Sequence, residues 1–350
     1  MTTKIDKLSI HKNSTLRTAL KQMDEIGHKL LIVIDNNYKF YSLLSIGDIQ
    51  RAIIKNIGLN EPITKVLRKN IKVAFPTDDL SEVKKEMEFR RNELMPVVKK
   101  DGSIKEVIFW EELFTEKERN QQLPEMTPVV IMAGGKGKRM KPLTNVLPKP
   151  LIPLGNKSII EEIMEKFGNH GVKDFYISLN YKADLIQNYL ENHAKVPYQM
   201  HFFRESKPLG TAGSLYMLKE KIHSTFFVTN CDILIDQDYA DVYHYHKENK
   251  NALTVLGAIK NYYIPYGTME IGENGKLNTI NEKPEIEFYV NSGVYLLEKE
   301  ILDIIPENEY LDITELINSL LKKNKKIGVF PVSEKSWKDI GTWEEYVDKL

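Results

Sequence analysis

The 350-residue chain has one cysteine, Cys231, so no intrachain disulfide framework can form. Such sparing use of cysteine fits a reducing compartment. No apolar run approaches the roughly 18 residues that would mark a membrane span. The opening MTTKIDKLSIHKNS has no apolar core of signal-peptide length, and a cytoplasmic location is expected. Charge of one sign is also missing. In total 49 Lys+Arg balance 49 Asp+Glu, and residues 1–125 hold 22 against 19 while the remainder holds 27 against 30. Neither part has the field of a nucleic-acid or membrane-surface binder. Disorder is excluded in turn, because 42% of residues are hydrophobic and 9% aromatic. At about 150 residues per domain, two or three domains are expected.

The first 115 residues contain an internal repeat. Asn13–Asp35 runs from a capping Ser or Thr through an amphipathic helix into the apolar strand LLIVID. Thr77–Lys99 has the same order 64 residues later. A second strand follows each copy, at Tyr41–Ser45 and Lys105–Phe109, and then a helix, GDIQRAIIKN or EELFTEKER. Two β-α-β-β-α units make a small domain that pairs with itself.

This repeat resembles a tandem CBS pair, the Bateman module, with copies at 1–62 and 63–118. Ser45-Ile46-Gly47-Asp48-Ile49 stands where that family has a Thr/Ser-x-x-Asp signature. The resemblance implies an adenine nucleotide, its phosphate held by Ser45 at the helix start and its ribose by Asp48. The same two residues also read as a plain N-cap with an acidic first turn. Phe109-Trp110-Glu111-Glu112, in the second copy, lacks the hydroxyl and the Asp, so at most one such site is expected. CBS pairs associate, which implies a homodimer or higher homo-oligomer.

The stretch 115–127 is polar and contains a proline, and 119–127 is the expected linker. From Pro128, apolar strands (VVIMA, DFYISL, QMHFF, TFFVT) alternate with amphipathic helices (SIIEEIMEKFGN, ADLIQNYLENHA, TAGSLYMLKEKI). That alternation predicts a mainly parallel sheet with helices on both faces and ligands at the carboxyl ends of the strands.

The first of these strands runs into Ala133-Gly134-Gly135-Lys136-Gly137-Lys138-Arg139-Met140. Glycines there let backbone N–H groups approach an anion, and three basic residues suggest a polyphosphate. No Gly-Lys-Ser/Thr of a Walker loop is present, nor a G-x-G-x-x-G. The string continues through Pro142-Leu143-Thr144 to Pro148-Lys149-Pro150-Leu151-Ile152-Pro153. Together they form GGxGxRxxPLTxxxPKPLxP, a long and specific pattern.

With this string the chain, over 128–350, resembles the sugar-1-phosphate nucleotidyltransferases, also called nucleoside-diphosphate-sugar pyrophosphorylases. The resemblance implies an α/β fold: a Rossmann-like GT-A nucleotidyltransferase domain with a mainly parallel sheet, preceded by the tandem CBS α/β module. It implies nucleotide contacts from Ala133, Gly134, Gly135 and Gly137, and from Glu205, Pro208, Gly210 and Thr211 of an E-x-x-PLGTAG segment. Tyr266, Gly267, Glu282 (of Glu282-Lys283-Pro284) and Asn291 (of Asn291-Ser292-Gly293) match sugar contacts. Asp232 of Asn230-Cys231-Asp232 and Asp339 of the terminal D-x-G-T motif match ligands of Mg²⁺. These aspartates lie 107 positions apart, and only the resemblance pairs them. Cys231 stands where the family has glycine, and reads as a buried small hydrophobe. Lys138 replaces a frequent Thr. Arg139 is assigned to the leaving pyrophosphate, Lys149 to the reacting phosphates and Lys283 to the sugar phosphate. The nucleophile is already ionised, so cations and alignment are needed rather than a general base.

A CBS pair ahead of this domain resembles the glucosamine-1-phosphate guanylyltransferases of legionaminic acid synthesis. That implies GTP and glucosamine 1-phosphate, for nonulosonic acid or surface glycan synthesis. Mannose 1-phosphate with GTP, or glucose 1-phosphate with dTTP or UTP, are the alternatives. A nucleotide sensor with a non-catalytic transferase domain is the alternative of another class; the retained Arg139, Lys149, Lys283, Asp232 and Asp339 argue against it. The sequence ends at Leu350, and an appended acyltransferase is not expected.

Overall fold

The computed structural model describes residues 4–69, 71–90, 93–110, 121–194 and 196–347. In the first repeat, Thr15 caps α1 (Leu16–Ile26) by accepting from the Thr18 amide. Helix α1 buries Leu16, Ala19, Leu20 and Met23, the three-and-four spacing of one face. Strand β1 (Ser9–His11) runs parallel to β2 (Leu30–Ile34), and β2 pairs antiparallel with β3 (Phe40–Ser45), which leads into α2 (Ile46–Ile54). The second copy has α3 (Leu80–Arg90), β4 (Leu94–Val98) and β5 (Ile104–Phe109), and Ala74 bridges in parallel to Val97 where β1 would pair.

Hydrogen-bond register carries the 64-residue period. Ile46 N donates to Lys29 O, and Trp110 N to Glu93 O; Asp35 N donates to Lys39 O, and Lys99 N to Ser103 O. A bulge follows Val33 in one copy and Val97 in the other. The copies join through Leu30, Ile32, Leu94 and Phe109, and through Glu93, which takes the Lys29 amide and sits 2.8 Å from His28 Nδ1. The helix expected at 111–119, with Glu111 and Glu112, lies outside the described residues.

The second part is built on a seven-stranded sheet. Strands β6 (Val129–Met132), β7 (Asp174–Leu179), β8 (Gln199–Arg204) and β9 (Phe226–Asn230) run parallel to one another. A short strand β10 (Ile233–Ile235) lies outside the sheet; β11 (Leu253–Tyr263), β12 (Glu285–Leu297) and β13 (Ile327–Val332) complete it, in the order β8-β7-β6-β9-β12-β11-β13. Only β12 is antiparallel to its neighbours. Along β6, Val129 and Ile131 face one core, and Val130 and Met132 the other. Helices α4 (Ile159–Gly168), α5 (Ala183–Asn192) and α6 (Tyr239–Glu248) cover the first face, and α7 (Ile313–Lys322) the second. No helix among the described residues is long and apolar enough to cross a membrane.

Two local expectations change. A helix expected over 211–222 is instead a single turn, Gly210–Gly213, followed by a 3₁₀ segment, Ser214–Leu218. The chain at 309–311 crosses too close for any larger residue: a Cβ on Gly213 would lie 2.4 Å from the Glu309 carbonyl. The expected linker is docked from residue 121 onward, because Leu123 enters the core and the Gln121 carbonyl meets His170 Nδ1 at 2.8 Å.

Candidate active site

From β6 the chain passes to β7 and β8 on one side, and β9 lies on the other side of β6. This is the switch point at which open α/β sheets bind ligands, and the glycine-rich loop leaves from it. Gly134 packs so closely that a Cβ there would meet Asn180 Cβ at 3.0 Å and Glu205 Oε1 at 3.5 Å. Gly137 has φ +58°, and its carbonyl accepts from Thr144 Oγ1 at 2.8 Å. Lys182 braces the far side by donating to the carbonyls of Asn145 and Val146. Ala133 is buried at the strand end, while Gly135, Lys136, Lys138 and Arg139 are less enclosed, the three cations being exposed.

Asp232 follows β9 after one residue, Cys231. Strand β10 then pairs antiparallel with β14 (Trp337–Asp339), with Ile233 opposite Asp339. This ribbon of three residues a side brings the two aspartates together, and Ile340 N closes it on the Asp232 carbonyl at 2.8 Å. Lys149 Nζ lies 2.5 Å from Asp232 Oδ2, and Arg139 Nη2 3.8 Å from the same oxygen. Lys149 is buried. A Cβ on Gly341 would lie 2.4 Å from Asp339 Oδ1 and 2.7 Å from Arg139 Nη2, so a side chain there would displace both groups.

Asp339 Oδ1 is buried and has no hydrogen-bond partner among the described residues. Burial first, and then the charge of Asp232, push the Asp339 carboxyl above its ordinary range. An orphaned carboxylate oxygen beside a second carboxylate fits a small hard cation. No group of three His, Cys, Asp or Glu able to hold a metal occurs among the described residues. Two carboxylates are what Mg²⁺ uses when substrate phosphates supply other oxygens.

The remaining matched residues fall into two groups. Glu205 lies beneath the glycine-rich loop, accepting from Ser178 Oγ at 2.8 Å and from the Leu209 amide at 3.0 Å. Its carboxylate therefore shapes the turn carrying exposed Pro208. Gly210 and Thr211 continue that turn, and Thr211 Oγ1 accepts from Ile313 N at the start of α7. Near β12, Asn291 Oδ1 accepts from Gly293 N, Gly293 lies against Asn230, and the Trp337 indole donates to the Ser292 carbonyl at 3.1 Å. These contacts tie Asn291 to the aspartate ribbon. Tyr266, Gly267, Glu282 and Lys283 flank the exposed hairpin 268–281, where a Cβ on Gly267 would meet Glu282 Oε2 at 3.0 Å.

The nucleotidyl transferase family model matches residues 128–350, the whole of this second part. The chain belongs to the nucleotidyl transferase family. A mannose-1-phosphate guanyltransferase of Yarrowia lipolytica is 34% identical over 185 residues, half of each chain. The transferase thus spans about half the length of that curated relative. Two crystal structures of HddC from Yersinia pseudotuberculosis, the second complexed with GMP-PN, are 30% and 28% identical. HddC superposes with a TM-score of 0.51 over 64% of this chain, and 98% of its own chain is covered in the first of these structures.

In the transferase, Cys231 is 7% exposed, and burial with the nearby charge of Asp232 pushes its thiol up to about 12. Such a thiol is no nucleophile at neutral pH. Cys231→Ala is expected to keep pyrophosphate release within about twofold of wild type, since the buried thiol carries no charge and only a small group is lost. Iodoacetamide at pH 8 is expected to leave the native protein unmodified by mass spectrometry; rapid alkylation with loss of activity would contradict this.

Ser45 and Asp48 form a capping box, the Ser45 hydroxyl accepting from Asp48 N and Asp48 Oδ2 from Ser45 N. Arg68 donates to Asp48 Oδ1 at 2.7 Å and to Ser45 Oγ at 2.6 Å, and Arg51 pairs with the same carboxylate. Burial raises the Asp48 carboxyl, but the hydrogen bond and charge of Arg68 and the Ser45 bonds bring it below its ordinary value. Several supports of the main site are absent from the sequence reading. Ser178 and Asn180 lie on an ordinary apolar strand and its end, whereas Gly341 is the glycine of the D-x-G-T motif and lies where Arg139 and Asp339 meet.

Proposed function

We propose that the transferase joins a sugar 1-phosphate to the nucleotidyl group of a nucleoside triphosphate, with GTP as donor and glucosamine 1-phosphate as acceptor. The observation that carries the reaction type is the convergence of Lys149 and Arg139 on Asp232, facing the buried unpartnered oxygen of Asp339. A sugar phosphate oxygen attacks the α-phosphorus, the bond to the β-phosphate bridge breaks, and pyrophosphate leaves with the bonding pair. Asp232 and Asp339 would hold Mg²⁺, which when bound supplies positive charge at the reacting phosphates. Exposed Arg139 holds the departing pyrophosphate, and Lys149 keeps a fixed positive charge beside the reacting phosphates. Lys283 takes the phosphate of the sugar, with Tyr266, Gly267, Glu282 and Asn291 around its hydroxyls. The guanine base is supported by the guanyltransferase name of the Yarrowia relative and by the GMP-PN bound to HddC. Glucosamine is supported by the repeat ahead of the domain, read as a tandem CBS module. That module takes an adenine nucleotide at Ser45 and Asp48, where Arg51 and Arg68 add positive charge for phosphate.

The test is pyrophosphate release with Mg²⁺, crossing GTP, dTTP, UTP and CTP with the 1-phosphates of glucosamine, N-acetylglucosamine, glucose and mannose. GTP with glucosamine 1-phosphate is expected to dominate. Dominance of another pair overturns the substrate assignment, and silence across all pairs overturns the reaction.

A further inference from the structure

The aspartate ribbon has two ends. One carries Asp232 and Asp339; at the other, Asp236 N donates to the Ser336 carbonyl at 2.8 Å. The ends are about 10 Å apart, three residues of extended chain. The N-terminal repeat holds the second end from both sides. Lys29, just before β2, places Nζ 3.1 Å from the Asp236 carboxylate and 3.0 Å from its carbonyl. Gln50 of α2, itself buried, donates to Gln237 Oε1 and to the Pro331 carbonyl, both at 2.9 Å. On the other strand's approach, Lys335 Nζ donates to the Asp24 carbonyl of α1 at 2.8 Å. A cavity of about 150 Å³ lies beside these contacts, bordered by Met23, Asp24, Ile46, Asp236, Ser333 and Ser336. The repeat meets this end of the ribbon through these polar contacts, while Ile235 is held in the apolar core of the second part.

We propose that the N-terminal repeat is a positioning element of the active site: Lys29, Gln50 and the Asp24–Lys335 contact fix the ribbon that sets Asp232 against Asp339. The proposal rests on the reading of those aspartates as the cation site. A two-stranded ribbon this short is marginal by itself, and three residues transmit a shift at one end directly to the other. Lys29, Gln50 and Asp24 act through the ribbon and touch neither nucleotide nor sugar.

The experiment compares wild type, Lys29→Ala, Gln50→Ala, the double variant and Lys29→Arg in the full-length chain. Two readouts need no identified substrate: hydrogen–deuterium exchange in peptides over 232–240 and 333–341, and Mn²⁺ affinity from the electron paramagnetic resonance signal of the unbound ion. In the double variant, ribbon exchange is expected to quicken and the Mn²⁺ dissociation constant to rise, each by about tenfold. Exchange over 133–140 stays within about twofold of wild type, and Lys29→Arg restores both quantities. Should the double variant fail to fold, Lys29→Ala alone gives the same pattern more weakly, since that pair is exposed. Unchanged ribbon exchange and Mn²⁺ affinity overturn the proposal, as does an equal quickening across the whole sheet, which marks general destabilisation. If Asp232→Asn binds Mn²⁺ like wild type, the cation reading fails, while the exchange arm still tests the grip.

Discussion

Asp232→Asn is expected to lower the turnover number for pyrophosphate release by about 10²- to 10³-fold, the usual loss when one group that stabilises transition-state charge is removed. The substitution is nearly isosteric, and the bond from Ile340 N goes to the Asp232 main-chain carbonyl, so the ribbon stays closed. What changes is charge: Lys149 loses its 2.5 Å partner and Asp339 stands alone. Asp339→Asn is expected to cost as much turnover, with an opposite effect on the cation-free fold. The Asp339 carboxyl lies above its ordinary range because of burial and the nearby charge of Asp232. Its ionised form therefore destabilises the fold at neutral pH; the penalty is absent in acid and sets in as pH rises through the raised value. Removing it raises the thermal midpoint without Mg²⁺ at pH 7 and leaves it unchanged near pH 3. Nearly wild-type turnover in either variant would contradict the assignment.

Lys149→Met is expected to lower turnover by about 10²-fold and to destabilise the cation-free protein. Methionine keeps most of the buried stem, so the effect reports the charge rather than a cavity. Breaking a fully buried ion pair costs roughly 3–5 kcal/mol. Here the expected cost is about 2 kcal/mol, because Arg139 stays 3.8 Å from Asp232 and the aspartate keeps some contact with water. Saturating Mg²⁺ is expected to recover part of that stability but not the turnover. Thermal melts with and without Mg²⁺, run beside the kinetic assay, check both. Full recovery of turnover by Mg²⁺ would reduce Lys149 to a placeholder for the cation.

Much of the fold was legible because burial imposes periods. Strands β6, β7 and β9 read as apolar runs because both faces are covered, and α4 and α5 show one apolar face each. The 64-residue repeat was legible for the same reason, and it reappears in the bonds of Lys29 and Glu93 to Ile46 and Trp110. The glycine-rich loop was legible as a stretch of close backbone approach, and the packing around Gly134 and Gly137 leaves little room for a side chain. The pairing of Asp232 with Asp339 was legible only through the family resemblance, because strands of three residues have no measurable period and their partners are a hundred positions apart. Thr211–Ile222 misled because its helical pattern ignores the chain crossing at Glu309. The grip of Lys29 and Gln50 on the ribbon left no trace either, because polar residues at a domain contact look like any solvated surface.

The most direct test of the central claim is metal-dependent pyrophosphate release: protein stripped with EDTA, supplied with GTP and glucosamine 1-phosphate, and titrated with Mg²⁺, wild type beside Asp232→Asn. No release without the cation, saturable release with it, and loss of that response in the variant are the predicted results. Equal release by both proteins, or release that ignores Mg²⁺, would contradict the assignment of Asp232 and Asp339 as the catalytic cation site.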